Sequence, residues 1–385
     1  MKRYRKIYNP NYLYVFTFIF PFVVYSFQWS TLYPPLSASL LIFYVASFAL
    51  YLLAGYYSNR LKPFYFNTIP KSSYNVLFVT GILGIYLVEI LLFRKIPLLG
   101  LLSGDFTYGD NFGIPVVHTI VVSFNSFYCV YLFHQYISKK SKTLLFQFLL
   151  LLIPYIILVY RSNIMGVFLS CFFIFLLNRK ITYKVVLGSI VAVLLMFYTF
   201  GFLGNLRSGQ GDSTYIARAS GATDQFLEGF VPNEYYWTYL YVASPVANLQ
   251  NNINLTKKDE GSWKVLILNE CFPDFMIKFL PFVHREEKSF NQINSFLNVG
   301  TIYVYSFSFL RWQGMIFMYF YFLIFINAYY WLLYRSARFR VVGMALLFNL
   351  IIFANFHNTI SYSASSLQLL YPILFSFLQA RSRII

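Results

Sequence analysis

Five arginines, Arg161, Arg207, Arg218, Arg285 and Arg311, are the residues of this chain best suited to chemistry. A guanidinium presents a planar fork of donors that matches paired phosphate oxygens, and it keeps its charge when partly dehydrated. Gathered on one side of a membrane, such groups would hold a diphosphate. Arg161, Arg207 and Arg311 each lie within a few residues of the end of an apolar run. One arginine there could equally reach for lipid phosphate, so it is their number that favours a ligand. Arg161 opens an apolar run after a very short turn, and an ionisable group at membrane depth is a functional candidate by default. Proton transfer needs a carboxylate or an imidazole. The available groups are Asp105, Asp110, Asp212, Asp224, Glu228, Glu234, Glu270, Asp274, His284, Glu286 and Glu287, and His284 beside Arg285 is favoured as general base. Phe226, Tyr235, Tyr236, Trp237, Tyr239, Tyr241, Trp263 and Tyr303 offer flat faces for sugar rings, although an interfacial aromatic belt uses the same residues. Glu89 and His118 lie inside apolar runs, where a polar contact between helices is the simpler role. No Walker loop, His/Cys metal cluster or nucleophile elbow is present, so neither a metal nor a cofactor is expected.

The elements that must position these groups follow from composition. Of 385 residues, 58% are hydrophobic and only 11% charged, against roughly 25% charged in soluble domains. The sequence predicts an all-α polytopic membrane protein. Crossing about 30 Å of hydrocarbon takes roughly 20 apolar residues, and ten such runs lie near 12–29, 35–56, 74–93, 114–136, 143–160, 163–178, 184–204, 313–334, 341–357 and 362–379. The first follows Met-Lys-Arg-Tyr-Arg-Lys with no small-residue cleavage site, which predicts a retained helix rather than a signal peptide. Cys129 and Cys171 fall inside apolar runs and Cys271 outside them, which implies no structural disulfide.

Charge sets the expected orientation. With a cytoplasmic N-terminus, the inner segments hold 18 of the 30 basic residues and none of the 13 acidic ones, as the positive-inside rule demands. Both termini are then cytoplasmic, and the net charge of +17 belongs to a rim facing anionic lipids rather than to nucleic-acid binding. The expected organisation is helices one to seven over 1–204, a large extracytoplasmic loop over 205–312, and helices eight to ten over 313–385. Ten of the 13 acidic residues fall in that loop. Its stretches near 235–249 and 263–283 predict short amphipathic helices on or dipping into the outer face. A loop of this length ordinarily has a function.

Several local runs add to this map: Ile-Pro-Leu-Leu over 96–99, Gly201 and Gly204 leading to Arg207, Tyr241-Val-Ala-Ser-Pro245-Val-Ala-Asn248, Asn298-Val-Gly-Thr301-Ile-Tyr303, and Arg218 spaced ten residues from Gly229. With these runs and this topology, the chain resembles the O-antigen and capsular polysaccharide polymerase (Wzy-type) family. It departs from the family in reading Phe309-Leu-Arg311-Trp-Gln-Gly314 where Asp-Phe-Gly is common, and no second arginine–glycine pair follows Arg285. The resemblance implies a glycosyltransferase of the bacterial inner membrane that joins undecaprenyl-diphosphate-linked oligosaccharides at its outer face. It also implies a chain-length regulator protein as partner. The arginines would neutralise the diphosphate leaving group without metal. Tyr241, Asn248, Asn298 and Tyr303 would contact sugar. An O-antigen ligase-like transferase has similar topology, and a lipid-linked oligosaccharide flippase or transporter is the rival from another class.

Overall fold

The computed structural model describes residues 8–61, 64–103, 112–179, 182–208, 214–257, 261–277, 289–334 and 338–381, with backbone alone at 101–102, 206–208 and 379–381. A helix satisfies its backbone within one segment, which is what apolar surroundings require, and every regular element among the described residues is helical. The first eight are α1 (Pro10–Tyr25), α2 (Ala38–Leu61), α3 (Asn75–Phe93), the short α4 (Pro97–Ser103), α5 (Val117–Lys139), α6 (Lys142–Ile157), α7 (Arg161–Asn178) and α8 (Tyr183–Ser208). A segment of short pieces follows: α9 (Tyr215–Ala219), α10 (Asp224–Leu227), the longer α11 (Glu234–Leu255), α12 (Trp263–Leu266) leading into a π-helical turn (Ile267–Cys271), and α13 (Asp274–Ile277). The chain closes with α14 (Val304–Tyr334), α15 (Arg340–Phe353), α16 (Ser363–Ser366) and, after a 3₁₀ turn, α17 (Leu370–Arg381).

Each of the ten apolar runs forms helix close to its expected bounds, with one difference. The run read as starting at 313 is preceded by helix from Val304, and Leu310 (φ −135°) and Arg311 (φ 47°, ψ −134°) break the two pieces apart. The α2, α3, α7, α8 and α14 helices are long and apolar enough to cross a membrane, while α1, α6, α15 and the stretch Ser363–Leu378 are shorter apolar helices. Much of this apolar surface faces outward. The most apolar stretches of α8, α3 and α2 are only 6%, 22% and 28% buried, and apolar surface left outside on that scale needs lipid rather than water. The chain is in this sense a helical membrane protein.

Aromatic rings fill the interior. The Tyr14 ring stacks on Tyr51 at 3.6 Å, and Phe18 meets Tyr303 at 5.7 Å, so α1 is tied to α2 and α14. The bundle has two distinct ends. At one, the start of α1 meets the ends of α2 and α7: Asn9 Nδ2 donates to Ser58 and Asn59, and the Tyr8 hydroxyl donates to the Leu176 carbonyl. The segment of short helices attaches at the other end, and its α11 packs along α8, where the Tyr235 and Thr238 hydroxyls donate to the Leu194 and Phe197 carbonyls. Backbones come very close there, because a Cβ on Gly201 of α8 would stand 1.8 Å from the Glu234 carbonyl oxygen and one on Gly204 2.8 Å from the Trp237 ring. Any side chain at Gly201 would lift α11 off α8.

Candidate functional site

Three polar side chains from three helical regions meet at the end that carries the segment of short helices. Glu89, near the end of α3, is fully buried. One of its oxygens accepts the Ile114 N–H at 3.0 Å and the other lies 2.8 Å from His118 Nδ1. The opposite ring nitrogen, Nε2, lies 2.7 Å from the Tyr160 hydroxyl. An ionised Glu89 places the imidazole proton on Nδ1, which leaves Nε2 to accept the Tyr160 O–H. Glu89 and His118 are the one ion-pairing contact between described residues, formal only when the imidazole is protonated.

Local sequence explains how the cluster is held. The chain enters α5 through Gly113 (φ 93°), and a Cβ there would lie 2.4 Å from the His118 ring, so a glycine is needed both for the backbone and for the room. The Phe112 and Tyr86 rings meet the imidazole edge-on at 5.9 and 6.4 Å. Tyr160 ends the tight turn between α6 and α7, where its N–H donates to the Tyr155 carbonyl and Val159 takes φ 60°.

Arg161 directly follows Tyr160 as the first residue of α7, and it is exposed. The first turn of a helix presents N–H groups without intrahelical acceptors and a partial positive charge, which adds to the guanidinium. The residues that follow Arg161 in α7, Ser162, Asn163 and Gly166, line an open cleft together with Asn349 and Phe353 of α15 and His357 and Tyr362 of the following loop.

The loop carrying His357 and Tyr362 is fastened by two acids. Glu270, fully buried in the π-helical turn, accepts Asn358 Nδ2 through both its carbonyl and its carboxylate at 2.8 Å. Asp274 accepts the Ser363 N–H at 3.0 Å and the Ser363 hydroxyl, while its own N–H donates to the Ser361 carbonyl at 2.9 Å. Both carboxylates thus hold the cleft loop in place. Burial pushes the neighbouring Cys271 thiol up to about 12, with the Glu270 carboxylate adding to the effect.

The other predicted groups fall as follows. Arg218, exposed on α9, stands where Thr31 N–H donates to the Gly221 carbonyl at 2.8 Å, beside α11. Arg311, also exposed, sits at the α14 kink next to Gly261. Arg161, Arg218 and Arg311 therefore occupy separate neighbourhoods of one end, and of the three Arg161 adjoins the cleft. Asp105, Asp110, Asp212, His284, Arg285, Glu286 and Glu287 lie outside the described residues, as does the Arg207 side chain. Asp224 and Glu228 are exposed.

Two of the expected sugar contacts need correction. Asn248 is fully buried: its Nδ2 donates to the Leu297 and Val299 carbonyls at 2.7 Å each, and its Oδ1 accepts the Ile293 N–H at 2.9 Å. It clamps the chain between Ile293 and Val299 onto α11, and no sugar reaches it. Tyr303 is likewise fully buried, with its hydroxyl paired to that of Tyr14. By contrast, Tyr241 is half-buried in an aromatic patch with Trp237 and Phe200, and Asn298 is exposed on the clamped chain.

Sequence reasoning does not single out Tyr160, and it gives Glu89 and His118 a polar contact between helices as the simpler role. The signal lies in the sequence: Glu89 is the one acidic residue inside an apolar run, and an ionisable group in a membrane segment is a functional candidate by default. Comparison with protein-family models, curated proteins and solved structures gives no match.

Proposed function

We propose that this chain is a membrane glycosyltransferase that polymerises lipid-diphosphate-linked oligosaccharide repeat units, as its resemblance to O-antigen and capsule polymerases implies. In this reading ten helices span the bacterial inner membrane, both termini are cytoplasmic, and the 205–312 segment lies on the outer face with the cleft. One diphosphate-linked glycan is the donor. A sugar hydroxyl of a second lipid-linked unit attacks its anomeric carbon, the carbon–oxygen bond to phosphate breaks, and the polyprenyl diphosphate leaves.

The observation that carries this reading is Arg161, an exposed cation that opens an 18-residue helix, directly after Tyr160, which bonds the His118–Glu89 pair, and directly before Ser162 and Asn163, which line the cleft. Charge building on the departing diphosphate is stabilised by donors already in place. Tyr241 and Asn298 remain available to sugar.

The deciding experiment is removal of the gene from its host, followed by electrophoresis of the surface glycan. A single-repeat product supports the polymerase. Loss of every exported repeat would make the chain a flippase, and full-length polymer left on its lipid carrier would make it a ligase.

A further inference from the structure

The Glu89–His118–Tyr160 cluster has features that packing does not require. A buried carboxylate is costly unless paired, and two apolar helices can be joined by far cheaper groups. Serine and tyrosine do this between α5 and α6, where Ser126 and Tyr155 pair at 2.7 Å. Glu89 instead spends one oxygen on a backbone N–H and the other on an imidazole, which fixes both its own orientation and the tautomer of the ring. The chain of contacts ends at Tyr160, a half-buried residue directly before Arg161 and two positions before Ser162, which lines the cleft. The groups confronting the imidazole are Glu89 and Tyr86 from α3, Phe112 from the turn before α5 and Tyr160 from the turn before α7.

Resting on the polymerase reading above, we infer that Tyr160, His118 and Glu89 form the proton-accepting relay that activates the acceptor sugar hydroxyl. The acceptor O–H gives its proton to the Tyr160 oxygen as the Tyr160 proton passes to His118 Nε2. The resulting imidazolium is stabilised by the Glu89 carboxylate. The acceptor oxygen bonds to the anomeric carbon of the donor, the electron pair of the broken bond leaves with the diphosphate beside Arg161, and the imidazolium returns its proton to water through Tyr160. Tyr160 is the catalytic residue, whereas His118 and Glu89 act through it.

The test uses the full-length protein in lipid nanodiscs, supplied with the lipid-linked single repeat that accumulates in the deletion strain. Wild type, Tyr160→Phe, His118→Gln and Glu89→Gln are compared for initial rate across pH 5 to 9, with thermal unfolding followed in parallel. Tyr160→Phe keeps the ring and removes one oxygen; it is expected to lower kcat by about 100-fold with KM changed less than about threefold, in line with the contribution of general-base catalysis. Glu89→Gln keeps the shape and a hydrogen-bond acceptor but not the charge. It is expected to lower kcat similarly and to displace the acid limb of the pH–rate profile, which a packing role would leave in place. Tyr160→Phe and Glu89→Gln proteins that unfold like wild type and polymerise within about threefold of it would overturn the relay alone. A wild-type protein that extends no chain at all would overturn the polymerase reading, and the relay with it.

Discussion

The two ends of the bundle differ in what they bury. At the end where Asn9 meets Asn59, basic side chains lie over aromatic rings: Arg60 over Tyr56 at 4.7 Å, Arg179 over Phe175 at 5.4 Å, Arg340 over Tyr334 at 4.6 Å. Arg338 donates to the Tyr131 hydroxyl at 2.9 Å, and Arg340 to backbone carbonyls at the end of α14. These cations are absorbed into an anchoring rim. At the opposite end Arg94, Arg161, Arg218 and Arg311 are at the surface, as Arg60 and Arg179 are, but here two acids, Glu89 and Glu270, are fully buried. An end that seats its cations on its own rings serves to fix the helices at an interface. In the polymerase reading proposed above, the end that buries the acids is the one that meets the diphosphate.

The largest effect should separate the two ends directly. Arg161→Ala is expected to lower the polymerising rate by at least about 100-fold, with normal amounts of protein in the membrane, whereas Arg60→Ala at the other rim should stay within about twofold. Chain-length analysis of surface glycan together with quantified membrane protein checks both. Equal losses would erase the distinction between the ends.

Gly113→Ala should come next, because it introduces a Cβ against His118 at a backbone angle that only glycine adopts freely. Polymerisation should fall about tenfold or more, with about 1–3 kcal/mol of stability lost; rate and thermal unfolding measured together show whether the imidazole was displaced. Asn248→Ala removes three buried hydrogen bonds and is expected to lower stability by about 2 kcal/mol or more, while the folded fraction keeps its rate. A clamp behaves this way, and a lost rate per folded molecule would restore Asn248 as a sugar contact. The smallest effect concerns Cys271. With its thiol pushed up to about 12, thiolate is scarce at pH 8, and maleimide labelling of the folded protein should proceed only slowly there and speed up as pH rises.

Much of the fold was legible in the residues themselves. Long apolar runs, bounded by basic clusters, emerged as helices within a few residues of their expected limits, since hydrocarbon leaves a backbone few alternatives to the helix. The motif glycines were legible as a pattern, and their purpose became clear from the contact of α8 with α11. The kink at Leu310 and Arg311 was not legible, because nothing local in Phe309-Leu-Arg311-Trp demands it; the nearby Gly261 N–H donates to the Phe309 carbonyl from a distant part of the chain. The sites were harder still. Tyr241-Val-Ala-Ser-Pro245-Val-Ala-Asn248 drew attention as a motif, yet Tyr241 faces an aromatic patch and Asn248 a backbone it must hold. Those eight residues make about two turns of α11, so Tyr241 and Asn248 fall on nearly one face but about 10 Å apart along it, and spacing along the chain does not say which neighbour each will meet.

By itself, the sequence determined that this chain is helical, that most of its surface prefers lipid to water, and that its acids and bases are segregated, because these properties sum over residues whatever their partners. Only the tertiary structure decided that Glu89, His118 and Tyr160, from positions 29 and 42 residues apart, share one line of hydrogen bonds beside Arg161. Such a meeting depends on how α3, α5 and the α6–α7 turn pack, and packing is a property of the helices together that no single one of them encodes.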